Sequence, residues 1–88
     1  MNAWSREEIF RIAVAALERR IADRHVKVDG SFRPLESGAL DSLAFVEVLT
    51  SIDQELGQAL LLEELDLERL ETVDALVDQL HALQSHRA

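Results

Sequence analysis

The sequence predicts an all-α fold: a four-helix bundle, made of three main helices and one short helix, with a long first loop. Apolar residues recur at helical spacing in three separate segments, and each segment opens with a residue typical of a helix N-cap. The chain holds three glycines and one proline, too few for the many turns of an all-β protein. Its 88 residues form one predicted domain, residues 1–88.

The first predicted helix spans residues 5–23. Ser5 followed by Glu8 indicates a capping box, in which the hydroxyl accepts from a free N–H and the carboxylate reaches back. Trp4 and Ile9 flank this box at the spacing of a hydrophobic staple. Three arginines near the helix end suit the negative end of the helix dipole: Arg19, Arg20 and Arg24.

A long loop is predicted between about Arg24 and Leu40, because helical periodicity fails there and turn residues are frequent. Such a loop is longer than an ordinary connection between helices. We expect it to cross the bundle and to dock through its apolar residues: Val26, Val28, Phe32, Leu35 and Leu40.

Three further helices complete the predicted bundle. The second spans 42–56 and ends because Gly57 is a good C-terminal stop. A short helix follows over 63–69, and a last helix over 73–83 is capped by Thr72. The residues after the last helix are expected to fray.

Charge and composition exclude several classes of function. Without cysteine the chain has no disulfide, no thiol nucleophile and no cysteine-ligated zinc. Residues 1–35 carry a net charge of +2 and residues 36–88 a net charge of −10, which repels nucleic acid and anionic bilayers but attracts a basic protein partner. With no signal peptide and no apolar run long enough for membrane insertion, we expect a soluble, cytoplasmic protein. We also expect it to be a monomer.

The second helix has two apolar stripes. Its core stripe recurs at helical spacing: Phe45, Val48, Leu49, Ile52 and Leu56. A different face holds Leu43, Val46, Glu47 and Thr50. Either the long loop covers this second face, or the face is exposed for a partner and ringed by acid. The helix pattern alone does not choose between them.

Ser42 stands at the start of this helix and has two interpretations. Serine at a helix start is usually an N-cap, which is a purely structural role. A helix N-terminus also favours an attached phosphate, through its free N–H groups and its dipole. Ser42 is therefore also a chemically sensible attachment point for a phosphodiester.

A segment around Ser42 resembles the phosphopantetheine attachment segment of the acyl carrier protein family. The Asp-Ser-Leu triplet, the preceding glycine and the glutamate five residues after the serine all match in Ser37-Gly38-Ala39-Leu40-Asp41-Ser42-Leu43-Ala44-Phe45-Val46-Glu47-Val48. The resemblance continues at 52–57 and at 70–73, where the last helix of the family begins.

The resemblance implies a carrier, not an enzyme. Ser42 would accept 4′-phosphopantetheine from coenzyme A through a separate phosphopantetheinyl transferase, and Asp41 would help to engage the transferase and its metal. The docking face for partner enzymes with basic surfaces would comprise Leu43, Val46 and Glu47, with Thr50 at a position that is usually apolar. The partners would be enzymes that load or process acyl or aminoacyl groups.

Two departures from the family concern the pathway. Ala44 and Phe45 stand where carriers of fatty acid synthesis usually have acid, and the Gly-Gly-His/Asp-Ser form of peptide-synthetase carriers is absent. The segment looks more like carriers of specialised pathways: fatty-acid- or polyketide-type, aminoacyl or D-alanyl. The cargo stays open at this point.

Catalysis and metal binding have little support in the sequence. His25, His81 and His86 are scattered, and the last two are not at the spacing that places two ligands on one helix face. No catalytic residues and no metal site are predicted. The alternative to a carrier is a non-covalent acidic helical adaptor that binds a basic protein through the face around Leu43 and Val46, with Ser42 only a cap.

Overall fold

The computed structural model describes residues 4–21, 25–57 and 66–87, without the side chains of 67 and 84–87. These ranges contain three α-helices, α1 (Arg6–Arg20), α2 (Ser42–Leu56) and α3 (Val73–Arg87), and they contain no strand. The predicted all-α class is therefore confirmed. The predicted fourth helix over 63–69 is not: one 3₁₀ turn occupies Leu67–Arg69, and residues 58–65 lie outside the described part.

The capping box at the start of α1 is present as predicted. The Glu8 N–H donates to Ser5 Oγ at 3.1 Å, and the Ser5 N–H donates to Glu8 Oε1 at 2.9 Å. The helix ends at Arg20 instead of residue 23, because Ile21 takes an extended conformation (φ −84°, ψ 116°) and only caps the last turn. Residues 22–24 lie outside the described part of the chain.

Trp4 links the start of α1 to the end of α2. Its indole N–H donates to the backbone oxygen of Leu56 at 3.0 Å, and its ring packs against the core. The last carbonyls of a helix have no partner within the helix, so this bond satisfies one of them. Trp4 thus holds two helices together across 52 residues of sequence.

α2 has the predicted bounds, because both of its ends carry a local signal. Asp41 caps the start, and Gly57 at the end adopts the left-handed conformation (φ 66°) that glycine takes without strain. α3 begins at Val73 as predicted, with Thr72 Oγ1 accepting from the Ala75 N–H at 3.1 Å. It continues to Arg87, beyond residue 83, where the sequence predicted fraying.

The loop between α1 and α2 runs across the start of α3. The Asp74 N–H donates to the Gly30 oxygen at 2.9 Å, and the Val73 N–H donates to the Phe32 oxygen at 3.0 Å. These two bonds satisfy amide groups that the first turn of a helix leaves without partners. The loop is thereby fixed to α3 before the chain reaches α2.

The loop docks through most of the predicted apolar residues but not through all of them. Leu40 is buried, and Val28 and Phe32 pack against the core. Val26 is half-buried. Leu35 is 39% exposed, so its predicted docking role is wrong, and the neighbouring Pro34 is buried in its place.

The hydrophobic core lies where α1 meets both α2 and α3. It contains the whole predicted stripe of α2 and the inward residues of the other two helices. Its members are Ile9, Ala13, Ala16, Leu17, Leu40, Ala44, Phe45, Val48, Leu49, Ile52, Leu56, Leu70, Val73, Leu76, Val77 and Leu80. Burial of these side chains supplies the main stabilisation of the fold.

Candidate functional site at the start of α2

Asp41, and not Ser42, is the N-cap of α2. Its Oδ1 accepts from the Ala44 N–H at 2.7 Å, and its backbone oxygen accepts from the Phe45 N–H at 3.0 Å. Its extended backbone (φ −88°, ψ 177°) is the usual N-cap conformation. The interpretation of Ser42 as a cap is therefore wrong.

Ser42 is the first residue of α2, and its side chain is exposed. Within the described part of the chain, no residue shares a hydrogen bond with Ser42 Oγ. The N–H groups of Ser42 and Leu43 belong to the first turn, which has no acceptors within the helix. The hydroxyl is thus accessible and lies at the positive end of the helix dipole.

The chain that leads into Ser42 is held by its own turn structure. Ser37 Oγ donates to the Pro34 oxygen at 3.2 Å and accepts from the Ala39 N–H at 3.3 Å. Gly38 has φ 80°, a left-handed conformation that a side chain would strain. Leu40 is then anchored in the core, one residue before the cap. Ser42 is therefore placed by a buried residue on one side and by α2 on the other.

The second apolar face of α2 is exposed. Leu43 is 71% exposed and Val46 is 39% exposed, and Thr50 and Glu47 also face solvent. Thr50 Oγ1 donates to the Val46 oxygen at 3.0 Å, so its hydroxyl is turned back onto the helix. The interpretation in which the loop covers this face is wrong for Leu43. We call these four residues the α2 face.

The carboxylate of the α2 face is paired within the molecule. Arg20 Nη2 of α1 lies 3.0 Å from Glu47 Oε1, with about half of each side chain exposed. The next arginine, Arg19, lies 3.7 Å from Glu55. Sequence reasoning placed both arginines at the end of a helix but could not place them beside α2, because no sequence pattern pairs residues 27 positions apart.

Metal binding has no arrangement to support it in the described residues. Nowhere in 4–21, 25–57 and 66–87 do three or more histidine, aspartate or glutamate side chains group so that they could hold a metal ion. His25 is exposed, His81 is half-buried on α3, and the side chain of His86 is outside the described part.

In the same ranges, none of the helices combines the length and the apolar character needed to cross a membrane.

Comparison of the chain with protein-family models, with curated proteins and with solved structures returned no match. The resemblance of the segment around Ser42 to acyl carrier proteins therefore rests on the residues and spacing of this sequence. The geometry at the start of α2 is an independent observation about the same serine.

Proposed function

We propose that the chain is a carrier protein, which holds acyl or aminoacyl groups as thioesters on a 4′-phosphopantetheine arm attached to Ser42. The observation that supports it most is the division of roles at the start of α2. Asp41 takes the capping bond, and the adjacent hydroxyl is left exposed with no hydrogen bond to a described residue. A serine whose role was structural would be expected to hold such a bond itself.

The residues present fit a phosphodiester at this position. The Ser42 and Leu43 N–H groups and the helix dipole favour a negative group on the Ser42 oxygen. Ser42 is itself exposed, so its side chain is open to a transferase. The arm itself supplies a terminal thiol for thioester formation.

The attachment reaction would need few chemical groups from this chain. Ser42 Oγ would attack the phosphorus that bears pantetheine in coenzyme A, the phosphoanhydride bond would break, and the nucleotide portion would leave with the bonding electrons. The hydroxyl proton would pass to a base of the transferase. Asp41 Oδ1 accepts from the Ala44 N–H, and Oδ2, which the capping bond does not use, would be available to the transferase and its metal.

The α2 face would be the docking surface for the transferase and for the enzymes that load or process the cargo. An exposed leucine and valine beside the attachment serine give apolar contacts, and the net charge of −8 steers basic surfaces towards the chain. The arm would then act by tethering, since it raises the effective concentration of its cargo at any site within reach. The class of cargo is specialised acyl, polyketide-type or aminoacyl.

Intact mass spectrometry tests the attachment directly. The protein is incubated with coenzyme A, Mg²⁺ and a broad-specificity phosphopantetheinyl transferase, and we expect the mass of one phosphopantetheinyl group to be added. Ser42→Ala should add none. The control is Ser31→Ala, an exposed serine of the loop between α1 and α2, which should gain one group like the parent.

Failure of the parent to gain the group, with circular dichroism showing that it is folded, would refute the carrier proposal. That result would leave the non-covalent adaptor, for which the exposed Leu43 and Val46 are the relevant observation. Modification of Ser42→Ala at another serine would refute the site but not the carrier function.

Docking is tested by the rate of modification. Leu43→Ser should slow the transfer, because it removes an exposed apolar contact next to the hydroxyl, and it should leave stability nearly unchanged. Leu35→Ser is the control, since Leu35 is also an exposed leucine but lies outside the α2 face. Equal rates for both variants and the parent would place docking elsewhere.

A further inference from the structure

A groove between α1 and α2 lies next to the α2 face. It has a volume of about 150 Å³, and Ala16 and Val48 in its lining are buried core residues. The remaining lining is polar: Arg19, Arg20, Glu47 and Ser51. Glu47 lines the groove and also belongs to the α2 face, where it follows Leu43 by one helical turn. A molecule docked on the α2 face would therefore meet the groove.

The two guanidinium groups of this groove have N–H donors that their ion pairs do not use. Arg20 meets Glu47 through Nη2 at 3.0 Å, and Arg19 meets Glu55 through Nη2 at 3.7 Å. A guanidinium has five N–H donors in a planar fork. About half or more of each arginine side chain is exposed, so a docked partner can reach them.

The chemistry of the groove restricts which group of a docked partner can enter it. The groove lining carries two positive charges and one negative charge, so a cation placed opposite Glu47 would be repelled by Arg20, with Arg19 adding less because Glu55 pairs with it. A carboxylate would instead accept from the fork of either arginine, which is the geometry that guanidinium groups favour. Ser51 can donate a further hydrogen bond.

We propose that this groove receives an acidic side chain of a protein partner whose apolar side chains cover Leu43 and Val46. The partner's surface is then of mixed sign: basic enough overall to be steered by the acidic chain, with one carboxylate that contacts Arg19 and Arg20. Arg20 has two effects, since it neutralises Glu47 and selects for an acid at this point. The inference concerns the groove alone and holds whether or not Ser42 carries an arm.

Capped tripeptides test the groove without any modification step. The probes are leucine-glutamate-leucine, leucine-glutamine-leucine and leucine-lysine-leucine, titrated into the ¹⁵N-labelled chain and followed by backbone amide and arginine Nε–H resonances. We expect the glutamate peptide to shift the Nε–H signals of Arg19 and Arg20 and the amide of Ser51, and to bind more tightly than the other two. Added salt should weaken its binding.

Two variants make the assignment specific. Arg20→Gln should weaken the glutamate peptide about two- to fivefold, the range expected for one exposed ion pair, and should leave the glutamine peptide unchanged. Arg11→Gln is the control, because Arg11 is an exposed arginine of α1 that pairs with Glu7 on its own helix. Arg19→Gln serves as the second test if circular dichroism shows that Arg20→Gln is unfolded.

Three outcomes would overturn the proposal. The lysine peptide could bind most tightly, or Arg20→Gln could strengthen peptide binding by freeing Glu47, and either would mean that Arg20 only masks an acidic contact. Equal binding of all three peptides would mean that the face recognises apolar groups alone. None of these results bears on whether Ser42 accepts phosphopantetheine, so the two proposals fail separately.

Discussion

Gly30 is predicted to be a position at which a single added methyl group disturbs the loop that leads to Ser42 through a direct clash. A Cβ at this position would lie 2.5 Å from Asp74 Oδ2 and 2.6 Å from Oδ1. No ordinary contact is that short, so either the Asp74 side chain or the loop must move. The loop is held there by the bond from the Asp74 N–H to the Gly30 oxygen.

The size of the effect follows from these two adjustments. Rotating Asp74 off its rotamer costs about 0.5–1.5 kcal/mol, and weakening the backbone hydrogen bond costs about 0.5–1.5 kcal/mol. Alanine also restricts the unfolded chain, which offsets about 0.4–1 kcal/mol. Together these terms allow a net loss between about 0 and 2.6 kcal/mol, so we expect Gly30→Ala to lower the free energy of unfolding by about 1 kcal/mol, or the melting temperature by roughly 4–8 °C.

A double-mutant cycle isolates the cause. In the background Asp74→Ala the carboxylate is absent, so the clash with it is removed and the effect on the unfolded chain is retained. Gly30→Ala should then raise the free energy of unfolding by about 0.4–1 kcal/mol, a reversal of sign. Urea denaturation followed by circular dichroism measures all four proteins. If Gly30→Ala were equally destabilising in both backgrounds, the clash with Asp74 would not be its cause.

Three other predictions concern the helix ends. Asp41→Ala should cost about 1 kcal/mol of stability, whereas Ser42→Ala should change it by less than about 0.5 kcal/mol, and equal losses in urea denaturation would contradict the assignment of the cap. Trp4→Phe should cost about 0.5–1.5 kcal/mol, because it removes the hydrogen bond to Leu56 but keeps an aromatic ring, and unchanged melting by circular dichroism would contradict that role. The pKa of Glu8 is lowered by hydrogen bonds from the backbone and side chain of the N-cap residue, so its stabilisation is complete above its unfolded pKa and is lost as the pH falls through the lower folded value. The melting difference between the parent and Glu8→Gln should therefore shrink on acidification, and a difference that grew would contradict the sign.

The sequence predicted those helix ends that have a local chemical signal. The capping box at Ser5 and the glycine after Leu56 each act within one turn, so residue type and spacing were enough. The end of α1 was placed too late because arginines suit a helix end without fixing the residue at which the helix stops. The end of α3 was placed too early for a different reason. The apolar stripe that predicted this helix stops before the helix itself does.

The start of α2 shows a finer limit of sequence reasoning. Aspartate and serine are both good N-caps, and they are adjacent, so residue type alone could not decide which one holds the bond. The structure assigns it to Asp41, through the 2.7 Å contact with the Ala44 N–H. That one-residue difference decides whether the Ser42 hydroxyl is committed or exposed, and the proposed function depends on it.

Charge is the property for which the sequence was least informative about the site. Residues 36–88 carry a net charge of −10, which predicted an acidic docking face. Yet the carboxylate of the α2 face meets a guanidinium from the half of the chain with a net charge of +2. The net charge of a segment does not show which opposite charge lies beside each residue. At contact range that neighbouring charge dominates, because screening in water removes most of the long-range field. Under the two proposals, the chain's overall acidity would govern the rate at which a basic partner approaches, while Arg20 would govern which side chain that partner presents on arrival.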